Sequence, residues 1–358
     1  MTPSPVAEAL LVVLAAVLGA WLLSYLTHST LAIGAAVLLT RLRPLAPVDQ
    51  VRVWRFAIVA PLLTSTLHVA GLAGPAAWSW PVAAILPQAL LDWRLGIVGI
   101  SLVIVASAAL MTGWISGALV LRRALGRRRA APTLLQDEVA SLAVVIGCRV
   151  PRVTVSDTSR VPAAVGVSEV CVPESSIDAM PPDERRGLLA HELGHLVARD
   201  PLWFAIAGTI ARLTAFQPLN RRAIAHLRAA SEEAADDFSV RATGDPSALA
   251  RALATLTSML WVVPGGAAAS GSPIVARVSR LLEGCRESVP WRPRLRRVIT
   301  AVAFAAMLVG APCLRASVDD LANRLVWLAP SPEEPNARML EVRRVSRQWR
   351  ETIRRAFR

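Results

Sequence analysis

The chain has 358 residues, of which 54% are hydrophobic, and its mean hydropathy is +0.47. That is too apolar for an ordinary soluble domain and too polar for a bare membrane bundle, so membrane spans joined to a water-soluble domain are expected. The net charge is +13 and every basic residue is arginine, clustered beside apolar stretches where it sets membrane topology, so no direct nucleic-acid binding is expected.

In chain order, residues 5–40 are almost wholly apolar and read as one long first span, with His28-Ser29-Thr30 in its middle. Residues 53–72 and 95–121 read as the second and third spans, and the shorter run 299–314 as the last. Arginines at 41, 43, 52 and 55, at 122–129, and at 292–297 mark three cytoplasmic loops by the positive-inside rule. Trp78, Trp80 and Trp93 suit the opposite interface. The expected fold is therefore a mainly α membrane protein with about four transmembrane helices and an inserted α+β domain. Residues 1–129 form the N-terminal membrane region, 130–298 the cytoplasmic domain, 299–315 the last span and 316–358 an Arg-rich tail. The four cysteines show no C-x-x-C spacing and read as reduced thiols.

Within the inserted domain, residues 133–146 read as a helix, and 153–155 and 169–172 as short strands, with turns at Pro162 and Gly166. From Pro182 the pattern is helical, broken by a Gly/Ala/Ser loop at 265–273. The apolar run 201–218 is too short to cross a membrane twice, so it is expected to pack in the domain or lie on the membrane surface.

The chemistry centres on His-Glu-Leu-Gly-His at 191–195. On a helix, His191 and His195 share a face and aim two imidazoles at one metal ion, with Glu192 placed as general base beside it. Pro182 at the helix start and Asp183 and Glu184 in the first turn support that helix, and Asp200 reads as the N-cap of the next one. Two histidines leave a zinc ion short of one protein ligand. Ser-Glu-Glu-Ala-Ala-Asp-Asp at 231–237 supplies it, with Glu232 paired by spacing to Asp236 and Glu233 to Asp237. His226 is a candidate transition-state stabiliser, since the sole tyrosine, Tyr25, lies in the first span. Arg241 is a second candidate, and also a partner for Asp237 at i+4.

These residues resemble the integral-membrane zinc metallopeptidases of the BlaR/MecR type. The resemblance rests on Val170-Cys171-Val172-Pro173, on the run from Glu184 through His195 to Asp200-Pro201-Leu202-Trp203, on residues 232–237, on Thr243-Gly244-Asp245-Pro246, and in the N-terminal membrane region on His28-Ser29-Thr30 and Val53-Trp54-Arg55. It implies a gluzincin-like fold binding one Zn2+ per chain, with His191, His195 and Glu232 as ligands, Glu192 as catalytic base and Asp236 orienting a histidine. It also implies that an edge strand at Glu169, Val170, Cys171 and Val172 binds substrate by strand addition. A cytoplasmic protein, a winged-helix repressor among them, is the implied substrate, in a multi-pass protein of the cell membrane. The chain departs from the antibiotic sensors after Leu314, where too few residues follow to form a penicillin-binding domain. A membrane-protein quality-control peptidase and a non-catalytic zinc-binding receptor are the alternatives. The Arg-rich stretch 122–129 is a candidate for self-cleavage.

Overall fold

A computed structural model describes residues 5–42, 45–70, 79–81, 93–124, 126, 128–159, 161–174, 180–261, 273–284, 292–310 and 313–315. The tail 316–358, Trp78, most of the loop at 265–273 and part of the stretch 122–129 lie outside the described residues.

The N-terminal region is helical. Helix α1 (Pro5–Leu42) is continuous through His28, and α2 (Pro47–Val69) begins with proline in its first turn, where the missing N–H costs nothing. Strand β1 (Ser79–Pro81) is followed by α3 (Trp93–Ala124). Among the described residues, only the segment Val17–Leu42 is long and apolar enough to cross a membrane. Shorter apolar stretches lie at Ser101–Gly117 and Val298–Met307.

The small sheet follows. Strand β2 (Arg129–Ala130), helix α4 (Thr133–Ile146), and strands β3 (Arg152–Ser156), β4 (Ala163–Val165) and β5 (Glu169–Pro173) build four strands in the order β2-β3-β5-β4. Strands β3 and β5 are parallel, with Thr154 opposite Cys171, and β4 runs antiparallel to β5, with Ala164 opposite Val170. The expectation that 169–172 is an edge strand is corrected here: β5 lies between two partners, and the edge is β4. Ala163-Ala164-Val165 is too short and too weakly β-branched to announce itself, and it sits between the residues read as turns.

Seven elements complete the described chain. They are α5 (Pro182–Ala198), α6 (Asp200–Leu213), α7 (Leu219–Thr243), α8 (Pro246–Trp261), α9 (Pro273–Leu282), α10 (Pro293–Gly310) and β6 (Cys313–Arg315), which pairs in parallel with β1.

Two cores hold the site between them. In one, Leu135, Val139 and Leu142 of α4 and Val153, Val155, Val170 and Val172 of the sheet meet Leu189, Leu193 and Leu196 of α5. Burying each of these leucines contributes roughly 1.5–3 kcal/mol. In the other, Ile33 and Ala36 of α1 and Val51, Trp54, Ala57 and Ile58 of α2 pack with Ala207 and Ile210 of α6 and Ala223, Leu227 and Ala230 of α7. The apolar helix α6 therefore spends its hydrophobic face on neighbouring helices. Because α7 belongs to the second core and crosses α5 of the first, the N-terminal helices and the HExxH helix are parts of one packed body.

Candidate metal centre

Helix α5 carries His191, Glu192 and His195, all buried. It crosses α7 at Gly194, where an added Cβ would stand 3.1 Å from Phe238 Cδ1 and 3.3 Å from Ala235 Cα. Glycine at 194 and alanine at 235 thus bring the two backbones close enough for a short carboxylate on α7 to meet the imidazoles.

That carboxylate is Glu232. His191 Nε2 and His195 Nε2 are 3.2 Å apart, and they lie 3.5 and 3.7 Å from the Glu232 oxygens Oε2 and Oε1. An ion held tetrahedrally at about 2.0–2.1 Å separates its donors by roughly 3.4 Å. The triad matches that spacing, and its donor atoms all lie within 4.8 Å of one another. The neighbouring Glu233 is not part of this group, and its backbone carbonyl accepts from Arg280 at 2.9 Å.

His195 is oriented by a hydrogen bond through its other nitrogen, and the other nitrogen of His191 meets a carboxylate at ion-pair distance without hydrogen-bond geometry. His195 Nδ1 lies 2.7 Å from Asp200 Oδ2, and His191 Nδ1 lies 3.1 Å from Asp236 Oδ1. A proton on each Nδ1 leaves each Nε2 lone pair free for a metal. Asp200 reaches back because Arg199 between α5 and α6 adopts a left-handed conformation, φ 56°, which folds the chain sharply after His195. Asp200 is therefore not the N-cap of α6 expected from sequence: it lies in the helix, and Arg199 takes the cap position.

Each aspartate is held in turn by an arginine. Arg277 of α9 donates to both oxygens of Asp236, at 2.8 Å from Nε and 2.7 Å from Nη2, and its Nη1 lies 2.8 Å from Glu232 Oε2. Arg55 of α2 donates to Asp200 Oδ1 and, at 3.1 Å, to the Ala198 carbonyl. Sequence reasoning missed Arg277, which follows a low-complexity loop and belongs to no motif. It also read Arg55 as a topology charge. The available signal for Arg277 was the amphipathic run Ile274, Val278, Leu281, whose apolar face packs on Leu249 and Leu253 of α8.

The electrostatics are those of a cation site. Burial, the largest single effect, opposes charge on His191, but Asp236, Glu232 and Glu192 together outweigh it and push its pKa up to about 9. Burial works against the charged Glu232 too, yet His191, Arg277 and His195 hold its pKa down at about 2. Asp236 behaves alike: Arg277 and His191 overcome burial and hold it at about 2.

Glu192 points to the sheet. Its Oε2 accepts the Ala164 N–H of edge strand β4 at 2.7 Å. Val170 and Cys171 of β5 are buried behind that edge. The remaining sequence candidates lie outside the cluster. His226 stacks on Trp54 of α2, ring centroids 4.6 Å apart and 6° from parallel. Arg241 is exposed in the last turn of α7, and Asp237 pairs with Arg280 at 2.7 Å instead.

Comparison with known proteins yields two findings. The family profile of BlaR1 peptidase M56 matches residues 10–245. A curated relative, Protease HtpX homolog of Nostoc punctiforme, is 31% identical over 143 residues, covering 30% of this chain. The chain spans about half of that relative's length, 48%.

Proposed function

The chain belongs to the BlaR1 peptidase M56 family, and from that premise we propose that it is a membrane-anchored zinc metalloendopeptidase that hydrolyses peptide bonds in a cytoplasmic protein. The observation that carries the reading is the convergence of His191 Nε2, His195 Nε2 and the Glu232 carboxylate, with Glu192 one residue beyond the first histidine.

The donor set suits Zn2+, which takes neutral imidazole and carboxylate together in tetrahedral sites. When bound, zinc supplies Lewis acidity toward a carbonyl oxygen and lowers the pKa of a water molecule. The chain's own residues do the rest. His191 and His195 bind the ion, their rings fixed by Asp236 and Asp200. Glu232 adds the third donor. Glu192, steadied through one oxygen by Ala164 N–H, takes a proton from the attacking water and passes it to the leaving amine. A substrate segment adds to the β4 edge, which runs past Glu192.

The arginine clusters support four spans, α1 the first, with the domain on the cytoplasmic side. The substrate is a regulatory protein, and the family resemblance points to a winged-helix repressor. The test compares protein fragments in cells carrying the active protein and Glu192→Ala. A repressor fragment present only with the active form is expected. Identical fragment patterns would remove the regulatory reading.

A further inference from the structure

Two consecutive residues of α2 grip both helices that supply metal donors. Trp54 stacks on His226 of α7, six residues before Glu232. Arg55 reaches the junction of α5 and α6, where it donates to Asp200 Oδ1 and to the Ala198 carbonyl, with its guanidinium 4.8 Å from the centre of the Trp203 ring. Asp200 is 2% exposed, and its second oxygen holds His195 Nδ1. Arg52, on the same helix, does something different: it pairs with Asp49 inside α2 at 2.6 Å and is 38% exposed. The two arginines look alike in sequence, yet only one leads to the metal centre.

We propose that Arg55 is a positioning residue of the metal centre, which makes metal retention depend on how α2 sits against α5 and α6. This rests on the metallopeptidase reading above. The argument is geometric. A carboxylate that orients a ligand imidazole must itself be oriented, and Asp200 takes its orientation from Arg55 and, at 3.4 Å, Ser231 Oγ. Arginine suits this place because one of its nitrogens, Nη2, donates to both the carboxylate and the Ala198 carbonyl while its flat face rests on the indole. Helix α2 packs on α1 through Ile33, Ala36, Val51, Ala57 and Ile58, so a displacement of the N-terminal helix pair is delivered to Asp200. Sliding α2 by one residue's rise, about 1.5 Å, is enough to break hydrogen bonds of this length. The N-terminal helices thereby gain a lever on the affinity of the site for its ion.

The test uses the full chain purified in detergent, with the zinc dissociation constant measured by chelator competition. Arg55→Gln is expected to weaken zinc binding about 10–100-fold, and Arg55→Lys by roughly 3–10-fold because lysine keeps the charge but lacks the flat face that rests on Trp203. Arg52→Gln is expected to bind as wild type. In an Asp200→Asn background, Arg55→Gln adds no further loss. Wild-type affinity in both Arg55 variants overturns the proposal, and so do losses that multiply in the double variant. If Arg55→Gln does not fold, the lysine variant decides alone, and wild-type affinity there overturns the proposal. Wild-type protein without zinc removes the metallopeptidase reading itself, whereas zinc-loaded wild type with unaffected variants removes only this inference.

Discussion

The two histidines of the candidate metal centre are backed by the same chemistry from the N-terminal and C-terminal sides of the chain. His191 leans on Asp236, which is gripped by Arg277 of α9, a helix in the C-terminal part. His195 leans on Asp200, which is held by Arg55 of α2, in the N-terminal region. The arms differ: Arg277 also touches the proposed metal donors, Glu232 at 2.8 Å and His191 Nε2 at 3.5 Å, whereas Arg55 reaches Asp200 and the Ala198 carbonyl. A cation beside a donor competes with the metal for its charge. The N-terminal arm therefore only orients, while the C-terminal arm both orients and competes.

The largest expected effect comes from cutting the C-terminal arm at its centre. Asp236 is fully buried, so Asp236→Ala leaves Arg277 with Glu232 as its remaining carboxylate and His191 without its guide. A loss of about 3–5 kcal/mol in stability is expected, with zinc affinity falling about 10–100-fold. Chemical denaturation and chelator competition measure the two. Equal stability would show that the arm is ornamental.

A subtler contrast comes from Arg277→Gln. Losing the guide weakens the metal site, but losing the competing cation strengthens it, so its zinc affinity is expected to change less than that of Arg55→Gln. A larger loss than in Arg55→Gln would contradict the distinction between the arms.

The smallest expected effect is a pH dependence of the chelator-treated protein. The pKa of His191 is raised to about 9, so its charge stabilises the fold fully below its ordinary value of about 6.5, and that contribution is lost as pH rises through 9. Glu232 and Asp236 are depressed to about 2, so their contributions stand above pH ~4 and are lost as pH falls toward 2. The melting temperature of the metal-free protein should fall between pH 7 and pH 10, while the zinc-loaded protein, whose His191 carries no titrating proton, should not follow it. Parallel curves would contradict this.

What the sequence disclosed and what it withheld divide along contact order. His191 and His195 were legible because helical spacing puts them on one face, with Glu192 beside them, whereas spacing left Glu232/Asp236 and Glu233/Asp237 open and only the family resemblance chose the first pair. The strands at 153–155 and 169–172 were legible by alternation. Strand β4 was not, since its three small residues have pairing but no pattern. Asp200 was read locally, as a cap, because its true partner depends on the left-handed turn at Arg199. Arg55 and Arg277 were hidden for the same reason: each lies far along the chain from the aspartate it holds, and only packing of α2 and α9 onto α5 and α7 brings them together.

The central claim is one ion shared by His191, His195 and Glu232 and worked upon by Glu192. Zinc content measured on purified full-length protein, alongside cleavage of a protein substrate, tests it most directly. The account predicts about one zinc per chain in wild type and in Glu192→Ala, cleavage in wild type alone, and loss of the metal in His195→Ala and Glu232→Ala. Wild-type protein without stoichiometric metal, or a Glu192→Ala variant that still cleaves, would contradict it.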